Sequence, residues 1–465
     1  MSEIIKWSAG ETAAQIRDRN VSVTEVTQAH LDQLERVNPK INAITEVVSE
    51  ALDTARAMDA DMPKDDLPPL YGVPVTSKIN ADQAGYANSN GVIAFKDNIC
   101  EKDSAVVHNM KSSGSVVIGR TNTPEFSMRW CTSNPLHGVS LNPWDDNVTP
   151  GGSSGAAAAA VASGIGAIAH GNDLGGSLRY PAFCCGVATI RPSLGRVPAH
   201  NPSAKVDRPP ITAAMSVQGP IARSIADVRL GLQSMAQRSS NDPLWTAAQN
   251  SGRTRGEKQK IGFCVNPYDA KIDPAIEAAM QDAIAACREA GFDVVETKVP
   301  EADLSARLWG DLLFTETEAT MGEAIRDFGS EGMNAAFDVY KTQYDLLNVK
   351  DFLQGVSERT RIQRLWANMF DDVDLLMMPT SMIRPFENDL DFKDPTQLPA
   401  LLEAQKPLHS INLLGLPSAA FPTGLADGVP VGVQLIGPMH DDWFVLDRAE
   451  RIENELGTIW QNLTI

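Results

Sequence analysis

The sequence predicts an α/β fold with a largely parallel or mixed sheet, on two observations. Short β-branched or apolar runs alternate with helical periodicities along most of the chain, the pattern of a sheet covered by helices. Hydrophobic residues make up 43% and charged residues 21%, enough apolar side chain for a sizeable core in an ordinary globular protein. A length of 465 residues could hold about three average domains. No internal repeat divides it, so one domain over 1–465 is expected.

Taken in order, residues 10–60 follow helical spacing, broken at Asn38-Pro39, and Ser22 with Glu25 has the spacing of a capping box. A loop rich in Pro and Asp at 61–69 leads into a short strand over 71–78, which ends on Lys78. Positions 104–113 read as a helix and 115–118 as a β-branched strand. The loop 119–150 carries Pro124, Pro135, Pro143 and Pro150 and is long enough to be functional. A helix at 224–235 precedes the polar stretch 236–260, the best surface-loop or linker candidate. A strand at 261–265 follows, then an Ala-rich helix to 290 opened by Asp273 as N-cap and Pro274 as first residue. After a strand at 292–297, long helical patterns fill 302–328 and 334–369. With Trp309, Phe314 and Tyr340, the segment 302–369 is a candidate lid. Strands at 374–378 and 431–436 and a helix at 442–456 complete the chain.

Several function classes are disfavoured. A net charge of −19 argues against nucleic acid and against anionic membrane surfaces, since both are bound through excess Lys and Arg. The start of the chain lacks a signal-peptide pattern, and the run 155–169 is too short and too rich in Gly, Ser and Ala to span a bilayer. Cysteines at 100, 131, 184, 185, 264 and 287 form no C-x-x-C pair and read as reduced thiols of a cytoplasmic protein. No metal site is expected, because the seven histidines are scattered and there is no H-E-x-x-H. Gly164–Ala169 fits G-x-G-x-x-A but follows a helix instead of opening one. Gly151–Gly155 fits G-x-S-x-G, yet Thr149-Pro150 stands where a hydrolase elbow needs a strand, and nothing local supports His440 as its base. The vicinal Cys184-Cys185 reads as small buried filler.

The stretch 149–195 concentrates the chemistry. Gly151-Gly152-Ser153-Ser154-Gly155 and Gly175-Gly176-Ser177 flank an alanine-rich helix beginning at Ala156, and Lys78 closes a strand upstream. Alanine loses no side-chain entropy on coiling, and glycine lets backbone N–H groups converge on one point. A hydroxyl beside converging N–H groups is the minimum for attacking a carbonyl.

These residues resemble the amidase signature family, serine hydrolases with a Ser–cis-Ser–Lys triad. The likeness runs through PLYGVPVTSK (69–78), GRTNTPEF (119–126), SNPLHGVSLNPWDDNVTPGGSSG (133–155), GNDLGGSLRYPAFCCGV (171–187), RPSLGRVP (191–198) and LPSAAFPTGLADGVPVGVQLIG (416–437). It implies a large central mixed β-sheet flanked by helices on both faces. It also implies Ser177 as nucleophile, Ser153 as bridging serine on a cis peptide after Gly152, and Lys78 as base. Backbone N–H groups of Leu174, Gly175, Gly176 and Ser177 would form the oxyanion hole. Ser154, Asp173 and Arg179 are expected to support the cluster, and Gly152, Met128, Arg129 and Trp130 to border the acyl site. The partners implied are a small-molecule amide and water, with no cofactor; a homodimer is compatible with the sequence.

The assignment is chemically coherent. Serine needs a base to become a nucleophile, and lysine with its usual pKa of ~10.4 is protonated at neutral pH. Burial penalises the ammonium and frees the amine to accept a proton. The expected reaction is hydrolysis of the C–N bond of an alkyl or aryl carboxamide. Carbamates, anilides or hydrazides would need the same attack. A catalytic subunit of a glutamine-dependent amidotransferase is the other alternative, and a non-catalytic protein on this fold a third. Three positions depart from the family pattern: Ile79 before Asn80, Asn172 before Asp173, and Ala156 after the serine pair. Ile79 counts against the amidotransferase branch, and the triad positions are all retained.

Overall fold

The computed structural model describes residues 3–464 apart from 249, 254, 255, 257 and 258. In chain order the strands are β1 (Ile44–Val47), β2 (Pro74–Lys78), β3 (Val116–Thr121), β4 (Ser133–Asn134), β5 (Gly138–Val139), β6 (Ile168–Asp173) and β7 (Ala188–Arg191). They continue with β8 (Val217–Ala222), β9 (Lys260–Phe263), β10 (Asp293–Glu296), β11 (Leu375–Pro379), β12 (Ser418–Ala426) and β13 (Val429–Ile436). β4 and β5 pair with each other, and the other 11 form one sheet in the order β1-β3-β2-β6-β8-β7-β12-β13-β11-β9-β10. The sheet is mixed: β2 runs parallel to β3 and β6, whereas β6, β7 and β12 each pair antiparallel with a neighbour.

Two cores sandwich this sheet. Along β11, Leu375 and Met377 join one apolar cluster while Leu376 and Met378 join the other, as the two-residue period of a strand requires. The first cluster holds the alanine helix Gly155–Ala162, none of whose residues is exposed. The second is aromatic and holds Trp130, Trp309, Phe314, Tyr340 and Trp366. Among the described residues no helix is long and apolar enough to cross a membrane.

Several expectations shift in detail. The capping box at Ser22 and Glu25 forms, but its helix Val23–Ile41 continues through Pro39. So close to the helix end the proline costs little, and Asn38 Oδ1 turns the chain by accepting from the N–H groups of Ala43 and Ile44, both at 2.8 Å. The pattern over 334–369 is two helices, Glu331–Thr342 and Val349–Asp372, the second capped by Asn348 onto the Asp351 N–H at 3.1 Å. Within 236–260, Trp245 donates to Ala236 O and Asp242 accepts the Ala199 N–H, so this part lies against the body; 249, 254, 255, 257 and 258 fall outside the described residues. Strands β9 to β13 beyond it join the same sheet as β1 to β3.

Candidate active site

Parallel pairing of β2 and β6 brings their C-terminal ends, Lys78 and Asp173, to one edge of the sheet. Both side chains are fully buried. Lys78 Nζ reaches Ser153 Oγ at 2.7 Å, Asn172 Oδ1 at 2.8 Å and Ser154 Oγ at 3.0 Å. Burial drives its pKa well below that of an ordinary lysine, and Asp173 offsets only part of the shift. A neutral amine has two N–H donors and a lone pair, so it can hold two of these oxygens as donor and accept the proton of a serine hydroxyl.

Ser153 follows a cis peptide from Gly152. A Cβ at Gly152 would stand 2.4 Å from the Arg129 carbonyl oxygen, so only glycine fits where these two backbones meet. The loop is pinned by Thr132, whose hydroxyl donates to Gly151 O (2.9 Å) and accepts the Gly155 N–H (3.1 Å), and by Thr123, which donates to Ser153 O (3.1 Å). Ser177 sits in the turn between β6 and the helix Arg179–Cys185, 8% exposed. Among the described residues its hydroxyl has no hydrogen-bond partner, so the structure joins Lys78 to Ser153 and leaves Ser153 to Ser177 unjoined.

Asp173 braces that turn. It accepts from the Gly176 N–H (2.8 Å), the Leu178 N–H (3.3 Å), Arg179 Nε (3.0 Å) and Asn412 Nδ2 (2.7 Å). Burial alone would raise its pKa, but the Arg179 guanidinium, Arg191 and the Asn412 amide together outweigh that and hold the carboxyl well below the usual range. Arg179 also donates to Gln434 Oε1, Leu408 O and Asn412 Oδ1. The expected supporting roles of Asp173, Arg179 and Ser154 thus have visible partners. The Gly176 N–H, expected in the oxyanion hole, donates to Asp173 here. The N–H groups of Leu174, Gly175 and Ser177 have no partner among the described residues.

The residues expected at the acyl site separate. Trp130 Nε1 donates to Gly175 O at 2.9 Å, placing its indole against the turn. Met128 is half-buried beside the aromatic core. Arg129 is spent elsewhere: its guanidinium pairs with Asp391 (2.6 Å) and Asp389 (2.7 Å) and donates to Ser133 Oγ. Its charge therefore ties the loop to a distant helix and is not offered to a ligand. Cys184 and Cys185 are buried, with burial pushing both thiols up, as filler requires. Three contacts escaped the sequence reading. Asn172 meets Lys78 directly and donates to Asn80 Oδ1 at 3.0 Å, and Trp309 Nε1 donates to Leu174 O at 2.9 Å. None has a local signal, because the partners lie 92 to 135 positions apart.

The sequence model of the amidase family matches residues 25–446. The chain belongs to the amidase family. It is 42% identical over 461 residues, 98% of this chain and 88% of the relative, to an indoleacetamide hydrolase of Bradyrhizobium diazoefficiens. A glutamyl-tRNA(Gln) amidotransferase subunit from Moorella thermoacetica is 30% identical, covering 97% of each chain. Among solved structures, a bacterial aryl acylamidase of the amidase signature family superposes with a TM-score of 0.83 at 27% identity, covering 97% of this chain and 96% of that one. This amidase is thus a hydrolase of amide C–N bonds on the expected mixed-sheet fold.

Proposed function

We propose that this amidase hydrolyses a small carboxamide with an aromatic acyl group, using Ser177 as nucleophile, Ser153 as bridging hydroxyl and Lys78 as base. The reading is carried by Lys78 Nζ, buried 2.7 Å from Ser153 Oγ with neutral oxygens around it. The aromatic preference draws on the indoleacetamide hydrolase and aryl acylamidase relatives and on Trp130 and Trp309 against the turn, with Tyr340 edge-on to Trp130. On substrate binding the Ser177 hydroxyl closes onto Ser153, passes it a proton, and Ser153 passes its own to Lys78. Ser177 Oγ bonds to the carbonyl carbon, and the oxyanion takes free N–H groups of the 174–177 turn. The proton then returns along the same hydroxyls to the leaving nitrogen, the C–N bond breaks, and ammonia or an amine departs. Water repeats the sequence on the ester and releases the carboxylate.

The chain's Cys100, Cys131, Cys184, Cys185, Cys264 and Cys287 are all free thiols, which supports a cytoplasmic setting. The helical segment 302–369 acts as a cover over the site, within one domain. The experiment is ammonia release by the pure chain from indole-3-acetamide and phenylacetamide, without ATP, partner protein or added metal. Turnover supports the reading. Turnover only after ATP, a partner and an acceptor are supplied would assign the chain to the amidotransferase branch instead.

A further inference from the structure

Two indoles hold consecutive peptide planes of the 174–177 turn. Trp309, on the helix Ala302–Phe328, donates Nε1–H to Leu174 O at 2.9 Å, and Trp130 donates Nε1–H to Gly175 O at 2.9 Å. In a trans peptide the carbonyl and the N–H of one unit point in opposite directions. The Leu174 carbonyl shares its unit with the Gly175 N–H, and the Gly175 carbonyl shares its unit with the Gly176 N–H. Trp309 therefore aims the Gly175 N–H away from the aromatic core, and Trp130 aims the Gly176 N–H, which lands on Asp173 at 2.8 Å. The second plane is clamped at both ends. The first is clamped only at its oxygen, and its N–H has no partner among the described residues.

The indoles are themselves fixed. His409 stacks on Trp309 with ring centroids 3.9 Å apart and 5° between planes, and it touches Trp130 at 5.4 Å. A Cβ at Gly175 would stand 2.8 Å from Trp309 Cζ2, so a glycine lets the Trp309 indole come this close, and one at Gly176 would stand 2.4 Å from Leu408 Cδ1, so a second glycine lets the turn pack against Leu408. We propose that Trp309 is a positioning residue for the oxyanion site: it sets the Gly175 N–H as an oxyanion donor, while Gly176 serves as a brace. Trp130 reinforces that brace. This rests on Ser177 being the nucleophile.

The test replaces Trp309 by Phe, which keeps a ring against His409 and removes the N–H. Active sites are titrated with a fluorophosphonate. The expected result is a fall in kcat per titrated site of about 10- to 100-fold with KM within about twofold. Affinity for an aryl trifluoromethyl ketone, whose adduct carries the oxyanion, falls by the same factor, while affinity for the product carboxylate holds. Trp130→Phe loses less, because Asp173 still holds that plane. A role in folding alone would lower the thermal midpoint and the titrated fraction but leave kcat per site and the ketone affinity unchanged, which overturns the proposal. Should Trp309→Phe not fold, 3-benzothienylalanine at 309 has the same shape without the donor and gives the same two outcomes. If the unmodified chain is not labelled at Ser177, the nucleophile assignment fails and takes this proposal with it. Labelling without amide turnover leaves the comparison to be read in labelling rates, where an unchanged rate in the variant overturns it.

Discussion

Lys78 Nζ lies 2.7 Å from Ser153 Oγ, in a site where both side chains are buried and, among the described residues, no carboxylate touches the amine. A lysine beside a carboxylate would stay charged. Here desolvation dominates and favours the neutral amine, the form that can accept a proton.

The rate should therefore follow the neutral form of Lys78. kcat/KM is expected to rise with pH through the lowered lysine pKa and level off above it. Lys78→Ala should lose about 100- to 10,000-fold and should no longer show that acid limb. A pH–rate profile of both proteins checks this; an acid limb that survives the substitution would assign it to another group.

Asn172 contributes a neutral oxygen 2.8 Å from the same nitrogen. Asn172→Asp places a negative charge there, which favours the ammonium. The acid limb should move to higher pH, so the rate within that limb should fall, with the plateau at high pH much less affected. An unmoved limb would mean that Lys78 is not the titrating base.

Asp173 and Arg179 form a fully buried pair at 3.0 Å. Asp173→Asn leaves the guanidinium without its counter-charge, at a cost of about 3–5 kcal/mol. Because the folded carboxyl is held below the ordinary range, its contribution is present above the unfolded pKa and is lost as pH falls through the folded one. The unmodified protein should thus lose stability on acidification from about pH 4 downward, and Asp173→Asn should lose less over that interval. Thermal midpoints of both across pH 3–7 report it, and parallel curves would contradict the pairing.

Gly152→Ala drives a methyl to 2.4 Å from a backbone oxygen, a contact that no side-chain rotation relieves. Activity should fall more than about 100-fold even in the fraction that folds, because the loop bearing Ser153 must shift. Near-normal kcat in that variant would show that the approach is looser than drawn.

Much of this was legible in the sequence where local chemistry is strong. The helices Pro274–Glu289 and Asp442–Leu456 carry their periodicity openly, and Ser22 with Glu25 announces its own cap. The strands β6, β8 and β12 do not. They are rich in Gly and Ala, with Gly219-Pro220 in β8 and Pro422 in β12, and β6, β8 and the first half of β12 lie inside the sheet with both faces largely covered, so no polar alternation marks them. Lys78, Ser153 and Ser177 could be singled out because glycines and a strand end surround them. Long-range pairing could not: Arg129 finds Asp391 across 262 positions, and only the fold reveals that its charge is already used. The same holds for Gly176, whose N–H reads as an oxyanion donor until Asp173 is seen holding it.

A proton path from Ser177 through Ser153 to Lys78 is tested by the site and rate of fluorophosphonate labelling, mapped by mass spectrometry. A single adduct is expected on Ser177 in the unmodified chain, with the rate falling to background in Ser153→Ala and in Lys78→Ala. An adduct on any other residue, or labelling of Lys78→Ala at the unmodified rate, would contradict it.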